Sequence, residues 1–233
     1  TVNPLPVADL SGNAIICPAD VTNLSINITT GLTPFTVEVD NGVGQILNYA
    51  SNDPIPVSPL STTVYNLVSV VDFNGCRVDA PHANLTGTAV VTLNADISVI
   101  TQPIAVTDCP GSDITFQVLV TGTAPVYQWR KDGIALVDGG NISGSGTDEL
   151  SITNIQAADA AMYDVVVSGT CLPATSAAVA LTVLEDITVT GNPVDVIECP
   201  GGTIQFGVTA TGTNPVYRWR KNGTPRLDGG TIS

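Results

Sequence analysis

The sequence predicts an all-β protein in which sandwich domains follow one another in tandem, and three observations support this fold class. Val, Thr and Ile alternate with turn-forming residues, including 22 Gly and 16 Pro among 233 residues, a composition typical of short strands joined by turns. No segment keeps a helical period, although the stretch SITNIQAADAAMYD fits one helical turn. Shifting the chain by 90 positions aligns residues 96–143 with residues 186–233 without a gap. One domain is therefore repeated.

The complete copy shows the strand pattern of a two-sheet sandwich. Ile114, Phe116, Val118 and Val120 alternate with polar or outward-facing residues, which predicts a strand with one buried face. The turn TGTAP, a strand that carries Trp129 and the turn KDG come next, followed by LSITNI, DAAMYDVVV and AAVALTV. Turn signals about every ten residues are typical of a sandwich of two sheets.

These motifs, in this order, resemble the pattern of the immunoglobulin superfamily: Trp129 followed by RKDG, then Leu-x-Ile-x-Asn-Ile, then Asp-x-x-x-Tyr. The resemblance covers residues 97–184 fully and residues 187–233 as the first half of a domain. It implies that Trp129 and Trp219 are the core tryptophans of their domains, and that Tyr163 is the tyrosine-corner residue.

One feature of the core departs from that pattern. The cysteines that join the two sheets in the family would stand where this chain has Val118 and Val165. The resemblance therefore implies a core that is closed by packing alone.

Residues 5–94 are interpreted as a divergent domain of the same kind. Leu24, Ile26 and Ile28 alternate with polar residues and predict a strand, and Phe35 stands where a core tryptophan is expected. The order ICPAD, TPFTVEVDNG, STTVYNLVSVVDFNGC is similar to repeats in very large surface proteins of gliding and related Bacteroidota. This resemblance implies export by type IX secretion, a cell-surface location, and a role in an adhesin or an extracellular fibre.

Three domains are predicted: residues 1–94 as a divergent immunoglobulin-like sandwich, residues 95–185 as a complete one, and residues 186–233 as the first half of a third. The linkers LNADISV and LEDITV are short, so we expect the sandwiches to form an extended rod. The third domain lacks a counterpart of residues 144–184. We therefore expect the native polypeptide to continue for at least roughly 40 residues, with a cysteine near its last hairpin, or a neighbouring chain to supply those strands.

The five cysteines are candidates for disulfides, since paired cysteines in an extracellular β protein are usually oxidised. No CxxC motif occurs, which disfavours a zinc site. One pairing joins Cys17 to Cys76 and Cys109 to Cys171, within each domain. It is favoured because it pairs all four cysteines of the two complete domains. The other joins Cys17 to Cys171, because the two loops of one immunoglobulin sandwich lie at opposite ends. Both pairings remain open, and Cys199 belongs to the incomplete third domain.

The net charge, the short apolar runs and the single histidine exclude several function classes. A net charge of −14 with seven basic residues is unsuited to nucleic acid. The apolar runs are far shorter than the ~20 residues of a membrane helix. His82 is the only histidine and lies in a loop, so no Ser-His-Asp or Cys-His arrangement of the usual kind is available. We expect no enzymatic activity.

Two further motifs allow a functional and a structural interpretation. WRK at 129–131 and 219–221 is either a basic stripe for an acidic glycan or, as we favour, solvated residues beside a buried tryptophan. The loop DGGNISGSGTDEL lacks the ligand spacing of a calcium loop, so we favour a plain connection and expect no cofactor. The carboxylates available to calcium are Asp138, Asp148 and Glu149 in this loop and Asp96, Glu185 and Asp186 at the linkers.

The sequence thus predicts a non-enzymatic structural segment of an extracellular bacterial adhesin or surface fibre. Its expected partners are neighbouring domains or copies of the same protein, with a surface glycan or a protein receptor as a further candidate. The alternative is a glycan- or protein-binding accessory module of a secreted enzyme.

Overall fold

The computed structural model describes residues 3–226, and the chain divides into two compact units. The first unit contains Thr1–Ile100, Val120–Val126 and Val167–Ala174; the second contains Thr101–Leu119, Tyr127–Val166 and Thr175–Ser233. The one helix among the described residues is a 3-10 turn, Ala157–Asp159, inside the stretch where a single helical turn is predicted. All other regular structure is strand, so the all-β prediction is confirmed.

Ten strands build most of the first unit. Their bounds are β1 Val7–Ser11, β2 Ala14–Ile16, β3 Thr22–Thr30, β4 Phe35–Val39, β5 Gly44–Tyr49, β6 Ile55–Val57, β7 Thr63–Val71, β8 Arg77–Asp79, β9 Leu85–Thr86 and β10 Thr88–Leu93.

These strands form two sheets around one apolar core. One sheet has the order β6-β3-β1-β9, and the other has the order β2-β10-β7-β4-β5, with β8 paired to β7. The alternation predicted for Leu24, Ile26 and Ile28 is present in β3, where all three side chains are buried. Phe35 on β4 is also buried. The pattern of residues 5–94 therefore gives a sandwich with the expected inward face.

Tyr49 connects the two sheets of this sandwich through its phenol. The Tyr49 hydroxyl accepts a hydrogen bond from the Ile26 amide over 2.9 Å and donates one to the Asp53 carbonyl over 2.8 Å. Burial of the side chain raises the pKa of Tyr49, because the ionised phenolate would lose its hydration. This contact was not predicted from the sequence.

Eleven strands follow between residues 97 and 185. Their bounds are β11 Ser98–Thr101, β12 Val106–Asp108, β13 Ile114–Gln117, β14 Leu119–Thr121, β15 Val126–Lys131, β16 Ile134–Ala135, β17 Ile142–Ser143, β18 Glu149–Ile152, β19 Ala161–Ser168, β20 Ala174–Thr175 and β21 Val179–Val183.

The larger sheet of this region has the order β12-β21-β19-β15-β16, with β20 paired to β19. Facing strands form the sheet β13-β18-β17, and β11 pairs with β14. Strand β12 runs parallel to β21, whereas β19 runs antiparallel to it. These directions decide which loops meet at each end of β21.

Residues 186–226 contain two short strand pairs. Strand β22 (Thr188–Gly191) pairs with β23 (Thr209–Thr211), and β24 (Arg220–Lys221) pairs with β25 (Thr224–Pro225). Residues 227–233 of the predicted third domain lie outside the described residues. The three predicted domain ranges remain predictions.

Candidate functional site

Cys17 lies in a turn that directly follows strand β2. The Asp20 amide donates a hydrogen bond to the Cys17 carbonyl over 3.1 Å. The Cys17 amide in turn donates to the Asp20 carboxylate over 3.0 Å. The turn is therefore held from both ends, which fixes the position of the half-buried Cys17 side chain.

Cys171 lies in the hairpin that follows strand β19. The Thr170 amide donates to the Thr123 carbonyl over 3.1 Å, and the Leu172 amide donates to the Asp96 carboxylate over 3.1 Å. The Leu172 carbonyl accepts from the Ile97 amide over 3.0 Å. Both neighbours of Cys171 are thus fixed by hydrogen bonds.

Cys17 and Cys171 form a disulfide with a Cα–Cα distance of 5.6 Å across a sequence separation of 154 residues. This distance lies in the ordinary range for a disulfide. Of the two pairings left open by the sequence, the one that joins neighbouring predicted domains is therefore present. The other cysteines, Cys76, Cys109 and Cys199, carry no disulfide within the part of the chain that the structure describes.

Strand direction explains why Cys109 does not pair with Cys171. Cys109 follows β12, which is parallel to β21, so it lies near the carboxyl end of β21. Cys171 follows β19, which is antiparallel to β21, so it lies near the amino end. The five residues of β21 (Val179–Val183) separate the two ends by about 17 Å, more than the ~7 Å that a disulfide bridges. The within-domain pairing is therefore wrong.

Cys76 is held in its own turn by Asp72. The Cys76 amide donates to the Asp72 carboxylate over 2.8 Å, and the Asp72 amide donates to the Cys76 carbonyl over 3.1 Å. Burial, together with the nearby Asp72 charge, raises the pKa of the Cys76 thiol. Because the thiolate is the reactive form, the raised pKa disfavours reaction at Cys76.

Trp129 lies at the centre of the core of the second unit and is 0 % exposed. Its indole N–H donates to the Thr147 carbonyl over 2.9 Å. Phe116 lies between the other two rings, with ring centroids 6.2 Å from Trp129 and 5.2 Å from Tyr163. The structure also buries Val118 and Val165, so two valines occupy the core where the family pattern has cysteines.

Trp219 is placed differently from the sequence-based expectation. Its side chain is 42 % exposed, although the repeat makes it the counterpart of Trp129. The strands that cover Trp129 lie between residues 149 and 183, and residues 186–226 contain no counterpart of them. The assignment of Trp219 as the core tryptophan of a complete third domain therefore remains a prediction.

Both charged side chains of the WRK motif at 129–131 form hydrogen bonds. The Arg130 guanidinium donates two hydrogen bonds to the Asp164 carboxylate, over 2.8 and 2.6 Å. The Lys131 ammonium donates to the Ala158 carbonyl over 2.6 Å. Asp164 was not predicted from the sequence, although a signal for it is present. Arg130 and Asp164 each follow a buried aromatic residue on neighbouring strands, so both point outward.

Two of the six acidic candidates, Asp138 and Asp96, accept hydrogen bonds from backbone amides. The Asp138 carboxylate accepts from the Ser145 amide over 2.8 Å, and hydrogen bonds from Ser145 lower the pKa of Asp138. Asp96 accepts from Leu172, as described above. Among residues 3–226 no three His, Cys, Asp or Glu side chains are grouped in a way that could hold a metal ion.

His82 is exposed, and its Nδ1 atom accepts a hydrogen bond from the Asn84 amide over 3.1 Å. None of the helical structure within residues 3–226 is long and apolar enough to span a bilayer.

Residues 97–183 match the immunoglobulin I-set domain family. The chain carries immunoglobulin-like domains in tandem. The tyrosine-corner residue Tyr163 and the core residue Trp129 both lie within the matched range.

Solved structures with several immunoglobulin domains are similar to this tandem. Sidekick-1 immunoglobulin domains 1–5 align at a TM-score of 0.52 with 14 % identity, over 98 % of this chain and 50 % of that one. This chain thus spans half the length of that structure. Drosophila OTK extracellular domains 3–5 give 0.44 with 14 % identity, over 94 % and 81 % of the two chains. The I9–I11 tandem from titin gives 0.41 with 15 % identity, over 97 % and 83 %.

No curated protein matches the chain in sequence. The I-set match and the Sidekick-1 structure support the fold. The comparisons do not support the Bacteroidota resemblance of residues 5–94. That resemblance remains a hypothesis.

Proposed function

We propose that this chain is a non-enzymatic structural segment of an extracellular adhesin or surface fibre, of the kind found on Bacteroidota cells. Tandem immunoglobulin-like domains support a structural or adhesive segment. The disulfide supports an oxidising compartment, because cytosolic thiols are usually kept reduced. The resemblance of residues 5–94 is the reason for naming a bacterial surface.

The observation that carries the proposal is the position of the Cys17–Cys171 disulfide in the chain. A pulling force applied at the two ends passes from Cys17 directly to Cys171 through the covalent bridge. The bridge closes a loop across a sequence separation of 154 residues, which contains Trp129 and Tyr163. The backbone of this loop then carries no tension. A segment that transmits load in a fibre benefits from this arrangement, because its cores stay folded under force.

Single-molecule pulling of the chain by its ends tests this role. In the oxidised protein we expect the extension to stop at the length of the residues outside the loop. Addition of a reductant should release the loop and lengthen the fully stretched chain by about 500 Å, at roughly 3.5 Å per residue. Cys171→Ser should show the long extension without reductant, and Cys109→Ser should behave as the wild type. Equal extensions with and without reductant would exclude the load-bearing role.

The alternative function, a glycan- or protein-binding accessory module, predicts a different result. In the second unit Arg130 and Lys131 are engaged by Asp164 and Ala158, which leaves few charged contacts for an acidic glycan. We expect the oxidised chain to bind no feature on a glycan array. Saturable binding to one glycan class would favour the alternative. Antibody labelling of intact source cells tests the proposed surface location directly, and labelling only after lysis would contradict it.

A further inference from the structure

The turn at Cys109 repeats the turn at Cys17. In the first turn the Asp20 amide donates to the Cys17 carbonyl over 3.1 Å; in the second the Ser112 amide donates to the Cys109 carbonyl over 3.3 Å. In both turns a carboxylate accepts the cysteine amide: that of Asp20 over 3.0 Å and that of Asp108 over 2.7 Å. Both cysteines are therefore presented by the same backbone arrangement.

The strands that precede the two cysteines also occupy equivalent positions in their sheets. Strand β2 runs parallel to β10, and β12 runs parallel to β21. The Asn94 amide donates to the Ile16 carbonyl over 2.9 Å, and the Leu184 amide donates to the Asp108 carbonyl over 2.9 Å. Each cysteine thus lies beside the first residues of the linker that leaves its sandwich.

The two linkers make the same contacts. The Ala95 amide donates to the Thr123 hydroxyl over 2.9 Å, and the Thr123 amide donates back to the Ala95 carbonyl over 3.1 Å. Glu185 and Thr213 form the same two bonds, over 2.8 and 3.0 Å. The backbone turn, the parallel strand and the linker contacts at Cys109 therefore repeat those at Cys17, although the carboxylate that accepts the cysteine amide precedes Cys109 and follows Cys17.

The hairpin that carries the partner cysteine is where the two arrangements differ. At the Cys17 disulfide, the Thr123 carbonyl accepts from Thr170 and the Asp96 carboxylate accepts from Leu172. Among residues 3–226 no group donates to the corresponding acceptors, the Thr213 carbonyl and the Asp186 carboxylate. These two acceptors and the exposed Cys109 thiol therefore have no equivalent of the hairpin contacts within residues 3–226.

The apolar face of residues 186–226 lacks the same covering strands. Phe206 and Trp219 keep the ring arrangement of the folded copy, with centroids 6.4 Å apart against 6.2 Å for Phe116 and Trp129. Phe206 is nevertheless 49 % exposed, whereas Phe116 is 1 % exposed and stacks on Tyr163. The two rings keep their mutual arrangement but remain partly exposed, which is unfavourable for apolar side chains in water.

We propose that Cys109 is a second bridging cysteine, which pairs with a hairpin cysteine carried by strands of the residue 144–184 type that cover the Trp219 face. The repeat identifies the occupant, because Ile204, Phe206, Val208 and Trp219 are identical to their four counterparts 90 positions earlier. The inference concerns the chemistry of Cys109 and does not depend on the proposed load-bearing role.

The bridge forms by ordinary thiol–disulfide exchange, with oxidised glutathione as the oxidant. The Cys109 thiolate attacks one sulfur of oxidised glutathione and releases the first glutathione. The hairpin thiolate then attacks the Cys109 sulfur and releases the second glutathione. Two protein thiols lose two electrons and two protons, and two molecules of reduced glutathione are formed.

The test appends a second copy of residues 144–184 directly after Ser233 of the full chain. The unmodified chain should show three free thiols, those of Cys76, Cys109 and Cys199. In the extended chain, after equilibration with oxidised and reduced glutathione, we expect two. Peptide mapping should find Cys109 linked to the appended copy of Cys171. Trp219 should also become protected from quenching by iodide.

Two matched variants distinguish the covering of Trp219 from the formation of the Cys109 disulfide. An extended chain whose appended cysteine is replaced by serine should protect Trp219 and keep Cys109 free. The Cys109→Ser variant of the extended chain should leave the appended cysteine free. If Cys109 stays free in the extended chain, or if Trp219 stays accessible to iodide, the proposal is overturned.

Discussion

The hydroxyl of Tyr163 donates a hydrogen bond to the carbonyl of Asp159, four residues earlier, over 2.8 Å. Asp159 ends the 3-10 turn and Tyr163 lies in strand β19, so this bond fixes the corner at which the chain enters the core of the larger sheet. The Tyr163 ring is fully buried. Burial, with the charges of Asp159 and Asp132, raises the pKa of Tyr163 to about 12.

The shifted pKa predicts how stability changes in alkali. An unfolded tyrosine ionises near pH 10, whereas folded Tyr163 stays neutral up to about pH 12. Its contribution to stability is therefore complete below pH 10 and is lost as the pH rises toward 12. We expect Tyr163→Phe to lower the free energy of unfolding by about 1 kcal/mol at pH 7 and to flatten its decline between pH 10 and 12. Urea unfolding at several pH values measures both; an unchanged slope would contradict the burial argument.

The two tryptophans should differ in their contribution to stability. Trp129→Ala removes a fully buried ring and leaves the Thr147 carbonyl without its donor. We expect a loss of about 3–5 kcal/mol in the free energy of unfolding. Trp219→Ala is the matched control and should cost below ~1 kcal/mol, because the ring is already partly in water. Unfolding in urea followed by far-UV circular dichroism measures both. Equal losses in the free energy of unfolding would show that the different exposure of the two tryptophans does not determine their contribution to stability.

The ion pair of Arg130 and Asp164 should stabilise the fold measurably. It is bidentate and partly buried, which strengthens charge-assisted hydrogen bonds. We expect a coupling free energy of about 1 kcal/mol from the double-mutant cycle of Arg130→Gln and Asp164→Asn. The more exposed pair of Arg77 and Asp79 provides the control, with a coupling near zero. A coupling of zero for both pairs would show that the Arg130 pair is only a surface contact.

Gly169 should not tolerate a side chain. A Cβ atom there would lie 2.6 Å from the Ile97 Cδ1 atom and 2.7 Å from the Thr123 carbonyl oxygen. Because the second contact is backbone, Gly169→Ala must displace the hairpin that carries Cys171, at a cost of about 1–3 kcal/mol. Gly146→Ala is the control, since its nearest neighbour would be 3.9 Å away. Thermal unfolding compares the two variants, and equal midpoints would contradict the predicted clash.

The sequence alone determined the elements whose signals are local. Alternation at Leu24, Ile26 and Ile28 defines an inward strand face wherever that strand lies in a sheet. The order of Trp129, the hairpin after it and Tyr163 predicts an immunoglobulin-like sandwich, because each motif fixes its own turn or strand. The repeat of 90 positions likewise needs no knowledge of the fold.

Only the tertiary structure decided which residues meet across the chain. The sequence left the partner of Cys17 open, since the choice depends on whether β12 and β19 run with or against β21. It gave Trp219 the same motif as Trp129, but burial requires covering strands, which are remote in sequence. Arg130 and Asp164 are 34 positions apart, and they pair because β15 and β19 are neighbours in the sheet. Strand order and direction are set by the packing of the whole core, so no local pattern encodes them.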